Sequence, residues 1–258
     1  MRGVSVVGVI VQARMTSTRF PGKVLRMIKG RPVIDYLFER LLHCKRLDTT
    51  VLATTTNPQD DPLEEYAAGL NLQCFRGSEE DVLDRFWGAA RTFNIEHIVR
   101  ITADCPLIDP KICDKVIETY LIESPDYVVT GPQFAEGLDC EIFTLNALET
   151  AHKNAIKKSE REHVTLYINN HPELFRMIVL ENETDDSHYR FTVDEPEDFD
   201  VVKHLIDALY RDGQFPFGVE QIKHYLDLHP EIVCLNSGIT RNEGLILSLE
   251  KDKKDKSG

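Results

Sequence analysis

The sequence predicts an α/β fold, a three-layer α/β/α sandwich around a mostly parallel central sheet. Short β-branched runs alternate with amphipathic helical stretches along most of the chain, as strands joined by crossover helices do. The first run, VSVVGVIVQ over residues 4–12, is apolar at consecutive positions, which suits a strand covered on both faces of a parallel sheet. Polar loops follow this run and follow VRIT near residue 102. Open parallel sheets bind ligands at such carboxyl ends of strands.

The remaining elements follow in order. PVIDYLFERLLHC has helical spacing, with Val33, Leu37, Leu41 and Cys44 on one side. TTVLATTT (49–56) reads as a strand, followed by a Pro/Asp turn and a helix through LEEYAAGL. A short apolar piece at Cys74 and Phe75 precedes RGSEED, where Ser78 is a plausible cap and Asp81 falls in the first turn of the amphipathic helix VLDRFWGAARTF. HIVRITADCPLIDP supplies a strand, a loop and a helix start at Pro110, a residue suited to a first turn. Farther on, DCEIFTL predicts a strand entering a helix over 146–157, EREHVTLYINN a helix, and FRMIVLEN a strand. YRFTVDEPEDFDVVKHLIDALY predicts a strand, an acidic turn and a long helix through Val201, Leu205 and Leu209. VEQIKHYLDLHPEIVCLN predicts a helix and a short strand. With no internal repeat and no Gly/Ser linker, a single domain over 1–248 is expected, followed by a disordered charged tail over 249–258.

Composition narrows the function. The chain has 258 residues and a formal net charge of −13, which argues against extended binding to nucleic acid. No apolar run approaches the roughly 20 residues that cross a bilayer, and no small-residue cleavage site precedes the first strand, so a cytoplasmic protein without a membrane partner is expected. Six scattered cysteines form no C-x-x-C pair, so buried thiols are expected in place of a disulfide framework or metal knuckle. Neither H-E-x-x-H nor G-x-S-x-G occurs, and hydrolase triads are unsupported.

Against this acidic background the loop after the first strand, A-R-M-T-S-T-R-F-P-G-K, is basic and rich in hydroxyls. It fits neither G-x-x-x-x-G-K-[ST] nor G-x-G-x-x-G. Its groups still suit a small polyanion. Arg14 and Arg19 offer planar donor forks that match phosphate oxygens. Lys23 adds a point charge, Thr16, Ser17 and Thr18 add hydroxyls, and Pro21-Gly22 turns the chain. Asp104 in TADCP and Asp194 in FTVDEP each follow a strand-like run. Either is explained equally well as a turn or cap residue, or as one of the few carboxylates that Mg²⁺ takes beside substrate phosphates. Asp198 and Asp200 read as solvated, and Glu195 and Glu197 as favourable charges at a helix start. Arg100 fits either a structural or a phosphate-side cation.

The stretch A-R-M-T-S-T-R-F-P-G-K-V-L resembles the N-terminal signature of sugar-acid cytidylyltransferases, which activate sialic and deoxy-octulosonic acids. The likeness continues through RGSEEDVLDRF, RITADCPLIDP, EREHVTLYI and FTVDEPEDFDVV, nearest to the branch named after a spore-coat polysaccharide biosynthesis protein. The resemblance implies a nucleotide-diphospho-sugar transferase-like (Rossmann-like) fold, CTP as nucleotide, Mg²⁺ as cofactor and a homodimer. It implies that Ala13, Arg14, Ser17, Thr18, Arg19 and Lys23 hold the triphosphate, with Arg14, Lys23 and Asp104 catalytic. Arg76, Gly77 and Ser78 would lie along the nucleoside, Arg76 near the cytosine. Asp104 and Asp194 would ligate the metal. Glu141, with Arg161, Glu162 and His163, would face a small anionic acceptor, although successive helical residues spread over different faces and at most one or two of those three can line a pocket.

The expected reaction transfers CMP from CTP to a sugar acid or phosphorylated acceptor and releases pyrophosphate. Two alternatives are a glycosyltransferase of the same fold that uses a finished nucleotide-sugar, and a nucleotide-binding module without turnover. The triphosphate-like grip argues against the first.

Overall fold

The computed structural model describes residues 5–214 and 216–255. Its elements run β1 (Val7–Gln12), β2 (Met27–Ile28), β3 (Arg31–Pro32), α1 (Val33–Leu41), β4 (Thr49–Thr55), α2 (Asp61–Gly69), β5 (Gln73–Gly77), α3 (Val82–Thr92), β6 (His97–Thr102), α4 (Pro110–Glu123) and β7 (Tyr127–Thr130). They continue with β8 (Glu141–Thr144), α5 (Leu145–Asn154), α6 (Lys158–Glu162), α7 (Leu166–Asn170), β9 (Met177–Leu180), α8 (Pro196–Leu209), α9 (Val219–Leu228), α10 (Pro230–Val233) and α11 (Glu243–Asp255).

Seven strands form one sheet in the order β5-β4-β1-β6-β8-β7-β9. Only β8 runs antiparallel to its neighbours; the pairs on either side of it are parallel. From β1 the chain moves outward to β4 and β5, then returns to β6 on the other flank of β1. Such a reversal leaves a crevice at the strand ends. In register, Gln12 lies beside Ala53 and Thr102, so the loops leaving β1, β4 and β6 start from one level.

Both faces of this sheet are covered, which is why its strands read as continuous apolar runs. Val9 and Val11 of β1 pack with Leu37 and Leu41 of α1 and Val116 and Ile117 of α4. Ile10 points the other way, toward Phe86 of α3 and Leu148 of α5. A third cluster joins Phe20, Ile28 and Tyr36 to Leu107, Phe191 and the inner faces of α8 and α9. It fastens the basic loop to the second half of the chain.

Five expectations need correction. YRFTV does not join the sheet: it runs extended between loops, where Phe191 N donates to the Glu136 carbonyl and Val193 N to that of Asp104, each at 2.7 Å. EREHVTLYINN is two short helices, because the backbone breaks between them and Val164 takes a positive φ of 24°. PEIV is a helix with proline in its first turn and not a strand. Asp81, not Ser78, caps α3, accepting from Asp84 N at 2.9 Å. Residues 249–255 are not a disordered tail but the end of α11, tied back where Ser159 N donates to Asp252 at 3.3 Å; residues 256–258 lie outside the described ones, as does Val4 of the first run.

The described cysteines are all free, with Cys44, Cys105, Cys113 and Cys140 buried and Cys234 exposed. No helix among the described residues is long and apolar enough to cross a membrane.

Candidate active site

The basic loop is held in shape from below and from the side. Ala13 N donates to the Ala53 carbonyl at 3.1 Å, and Gly22 N closes the loop onto the Met15 carbonyl at 3.0 Å. Gly22 has φ 69°, a left-handed turn that favours glycine. Met15 N donates to Asp60 at 2.6 Å. Asp60 is wholly buried and also accepts from the Thr55 hydroxyl, so the end of β4 anchors the loop.

The Thr16 hydroxyl donates to Glu79 at 2.6 Å, and Asn57 Nδ2 donates to the same carboxylate at 2.9 Å. This joins the basic loop to the 76–81 loop, so the two expected nucleotide segments are neighbours. Arg14 and Thr18 are exposed, and Ser17 is half-buried beneath Phe20 N. Arg85 lies buried under the 76–81 loop and donates to the Ser78 carbonyl. Burial and the neighbouring Arg14 pull its guanidinium down to about 10. An anion beside these two cations would relieve that cost.

Lys23 opens a single 3-10 turn and is only 7% exposed. Its Nζ donates to Asp104 Oδ2 and to Asp194 Oδ1, both at 2.7 Å. Burial alone would lower the Lys23 ammonium, but the two carboxylates hold it above its usual value. Burial pushes the Asp104 carboxyl upward, yet Lys23 outweighs that and leaves it below the usual carboxylate range. Both groups are therefore charged at neutral pH.

Among the described residues no three His, Cys, Asp or Glu side chains form a metal cage. Two carboxylates converging on one cationic point are what Mg²⁺ uses when substrate phosphates and water complete its shell. The donor set fits that ion.

Asp194 is placed by charges that periodicity could not reveal. Arg190 donates to Asp194 Oδ2 at 3.1 Å, to Asp198 at 2.8 Å, and to Glu136. Asp198 is not solvated, as expected, but 0% exposed. It accepts from the backbone N–H groups of Asp194 and Glu195, each at 3.0 Å, and so shapes the turn that presents Asp194. Glu195 is more than a favourable charge: its carboxylate lies 3.3 Å from Arg19. Arg19 further meets Asp194 at 3.2 Å and Glu243 at 2.8 Å.

From Arg19, Asp104 and Asp194 a cleft of about 490 Å³ extends over β6, β8 and β7 to the 241–245 segment. Glu141 and His163 line it; Arg161 and Glu162 do not. Arg161 instead donates to Asp81 at 2.8 Å and to the His152 carbonyl at 2.7 Å, and Glu162 accepts from Ser248 at 2.7 Å. Of these three, of which one or two at most are expected to line a pocket, only His163 does, because Arg161 and Glu162 at the end of α6 turn to other partners. Glu141 is buried and accepts from Arg100, Tyr127 and Thr165. That ion pair makes Arg100 part of the cleft floor. Arg76 reaches the carbonyls of Thr55 at 2.7 Å and Asn57 at 3.0 Å, and pairs with Asp61 and Glu64. It braces the turn from β4 to α2 beside Gly77 and Ser78.

Sequence reasoning missed Arg190, Asp198, Glu136, Arg85 and the 241–245 segment. Only RFTVDEPED, with its arginine four residues before one aspartate and eight before another, carried a local signal.

The family model described as Cytidylyltransferase matches residues 8–228. An uncharacterized protein of Methanocaldococcus jannaschii is 39% identical over 236 residues, covering 89% of this chain and 94% of that one. The spore coat polysaccharide biosynthesis protein SpsF of Bacillus subtilis is 37% identical over 205 residues, covering 76% and 84%. A solved cytidylyltransferase from Leptospira borgpetersenii aligns with a TM-score of 0.84 at 35% identity, covering 91% of this chain and 98% of that one.

Proposed function

We infer, since the chain belongs to the cytidylyltransferase family, that its site transfers CMP from CTP to a small anionic acceptor, a sugar acid or a phosphorylated compound, in surface polysaccharide synthesis. The observation that carries the reading is the convergence of Asp104 and Asp194 on Lys23 at the root of the basic loop. An enzyme that only held a finished nucleotide-sugar would face one or two phosphates fewer and would not need Arg14, Arg19 and Lys23 together. The pathway rests on the likeness to the spore coat polysaccharide biosynthesis protein of Bacillus subtilis.

In the reaction an acceptor oxyanion attacks the α-phosphorus of CTP, a new P–O bond forms, and the bond to pyrophosphate breaks. The protein's task is alignment and charge neutralisation. Arg14, Arg19 and Lys23 neutralise the β- and γ-phosphates and the charge that grows on the leaving group. Ser17 and Thr18 offer hydroxyl donors along the same loop beside Ala13, while Arg76, Gly77 and Ser78 border the nucleoside. Asp104 and Asp194 would hold Mg²⁺, which supplies Lewis-acid stabilisation of phosphate oxygens. Glu141 and His163 contact the acceptor. The family resemblance implies a homodimer, a state that light scattering reads directly.

The test is to incubate the protein with each of the four NTPs, Mg²⁺ and a panel of sugar acids and sugar phosphates, and to measure pyrophosphate. Release with CTP and one acceptor class is the expected result. No release with any acceptor, together with hydrolysis of a nucleotide-sugar, overturns the reading. Lys23→Ala is expected to lose about 10²-fold or more in turnover, the scale of losing one aligned electrostatic contact. It should keep its fold, because the Lys23 head group makes its polar contacts with site carboxylates. Unchanged turnover in a folded Lys23→Ala variant removes the lysine from the mechanism.

A further inference from the structure

The 241–255 segment starts at the cleft wall and is fastened at four places, the last where Ser159 N donates to Asp252 at 3.3 Å. Arg241 donates to the carbonyls of Pro132 and Phe134 at 3.1 and 2.8 Å, and Asn242 N donates to Glu136 at 3.0 Å. Glu243 accepts from Arg19 at 2.8 Å. Ser248 donates to Glu162 at 2.7 Å and lies 3.1 Å from His163 Nε2. These fastenings are polar. Ser248 is 4% exposed, whereas Ile246, Leu247 and Leu249 remain 43%, 47% and 37% exposed. Little apolar burial therefore holds α11 in place. Single polar contacts contribute only about 0.5–1.5 kcal/mol each, and a helix of 13 residues is marginal in water once undocked.

Arg19 belongs to both the phosphate grip and this segment. Its guanidinium is already shared among the carboxylates of Asp194, Glu195 and Glu243, and Glu243 alone among these sits on the weakly buried segment. We propose that Glu243 is a positioning residue that couples the nucleotide grip to the acceptor-side wall. A triphosphate at Arg19 displaces the Glu243 carboxylate, the 241–255 segment loosens, and the acceptor end of the cleft opens after the nucleotide has bound. The exchange is one anion for another on the same cation, with no covalent change. The proposal rests on the nucleotide reading above and adds a binding order to it.

The experiment is hydrogen exchange by mass spectrometry on the full chain, with CTP and Mg²⁺, with CMP and Mg²⁺, and with Mg²⁺ alone, beside calorimetric titration of CTP. CTP is expected to speed exchange over 243–252 at least 5-fold, while CMP, which lacks the β- and γ-phosphates, leaves it unchanged. In Glu243→Gln the segment should exchange fast without nucleotide and respond no further, and CTP should bind about 3- to 10-fold tighter because a charged competitor at Arg19 is gone. A purely structural role for Glu243 would loosen the segment without changing CTP affinity, so an unchanged dissociation constant overturns the proposal. CTP that binds while exchange stays constant or slows also overturns it and leaves the nucleotide reading standing. Absence of CTP binding in the parent protein overturns both.

Discussion

Asp104→Asn is expected to lower CMP transfer by about 10²- to 10³-fold while the protein stays folded. The substitution keeps the shape of the side chain and removes the negative charge that faces Lys23 at 2.7 Å. Lys23 keeps its second carboxylate, Asp194, at the same distance, so no buried charge is left alone. The stability cost should then stay below about 2 kcal/mol, the range for one weakened charged hydrogen bond. The loss in rate is larger, because Asp104 would hold the Mg²⁺ that offsets the charge growing on the phosphates in the transition state. Two measurements check this. Pyrophosphate release with the acceptor found in the panel should fall to the stated level, and Mg²⁺ should no longer tighten CTP binding in calorimetry. Turnover within about 3-fold of the parent would remove Asp104 from the metal site.

The second large effect is structural. Gly137→Ala should lower the melting temperature by about 10 °C, from a destabilisation of about 3–4 kcal/mol at about 2–4 °C per kcal/mol for a chain of this size. Gly137 has φ +96°, and a Cβ built there would sit 2.4 Å from Thr192 N and 2.6 Å from Phe191 C. Both atoms are backbone and cannot rotate aside. Left-handed strain and overpacking each cost about 1–3 kcal/mol. The strand-like segment that would have to shift donates to the Asp104 carbonyl through Val193 and leads directly to Asp194. The surviving folded fraction should therefore also bind CTP with a weaker Mg²⁺ dependence. A melting temperature within 2 °C of the parent would show that the two backbones can separate without cost.

The parts of this fold that could be read early share one physical property. The run that became β1 is buried on both faces and announces itself as apolar residues without alternation, and β4 and β6 carry shorter apolar centres at Val51, Leu52 and Ala53 and at Ile98 and Val99. Helices α3 and α8 each bury one face and keep the 3.6-residue period. YRFTV carries the same apolar signature but pairs with loops, and local pattern does not distinguish a loop partner from a strand partner. EREHVTLYINN keeps helical spacing across a break that only the positive φ of Val164 reveals. The charged end of the chain looked like a solvated tail because its docking contacts, Ser248 to Glu162 and Asp252 to Ser159, lie far away in sequence.

The site divides along the same line. The composition of the 13–23 loop, and the aspartates placed just behind strand-like runs, were set by residue order alone, because side-chain chemistry and strand ends are local properties. Bringing Lys23 to Asp104 and Asp194, respectively 81 and 171 residues away, required the return of the chain to β6 beside β1 and the packing of Phe20 and Phe191 in one cluster. The same packing buried Asp198 beneath Arg190, separated His163 from Arg161 and Glu162, and laid Glu243 on Arg19. Local order chose the groups, and long-range burial chose their partners, since hydrophobic packing has no direction of its own and acts on whichever surfaces the topology brings together.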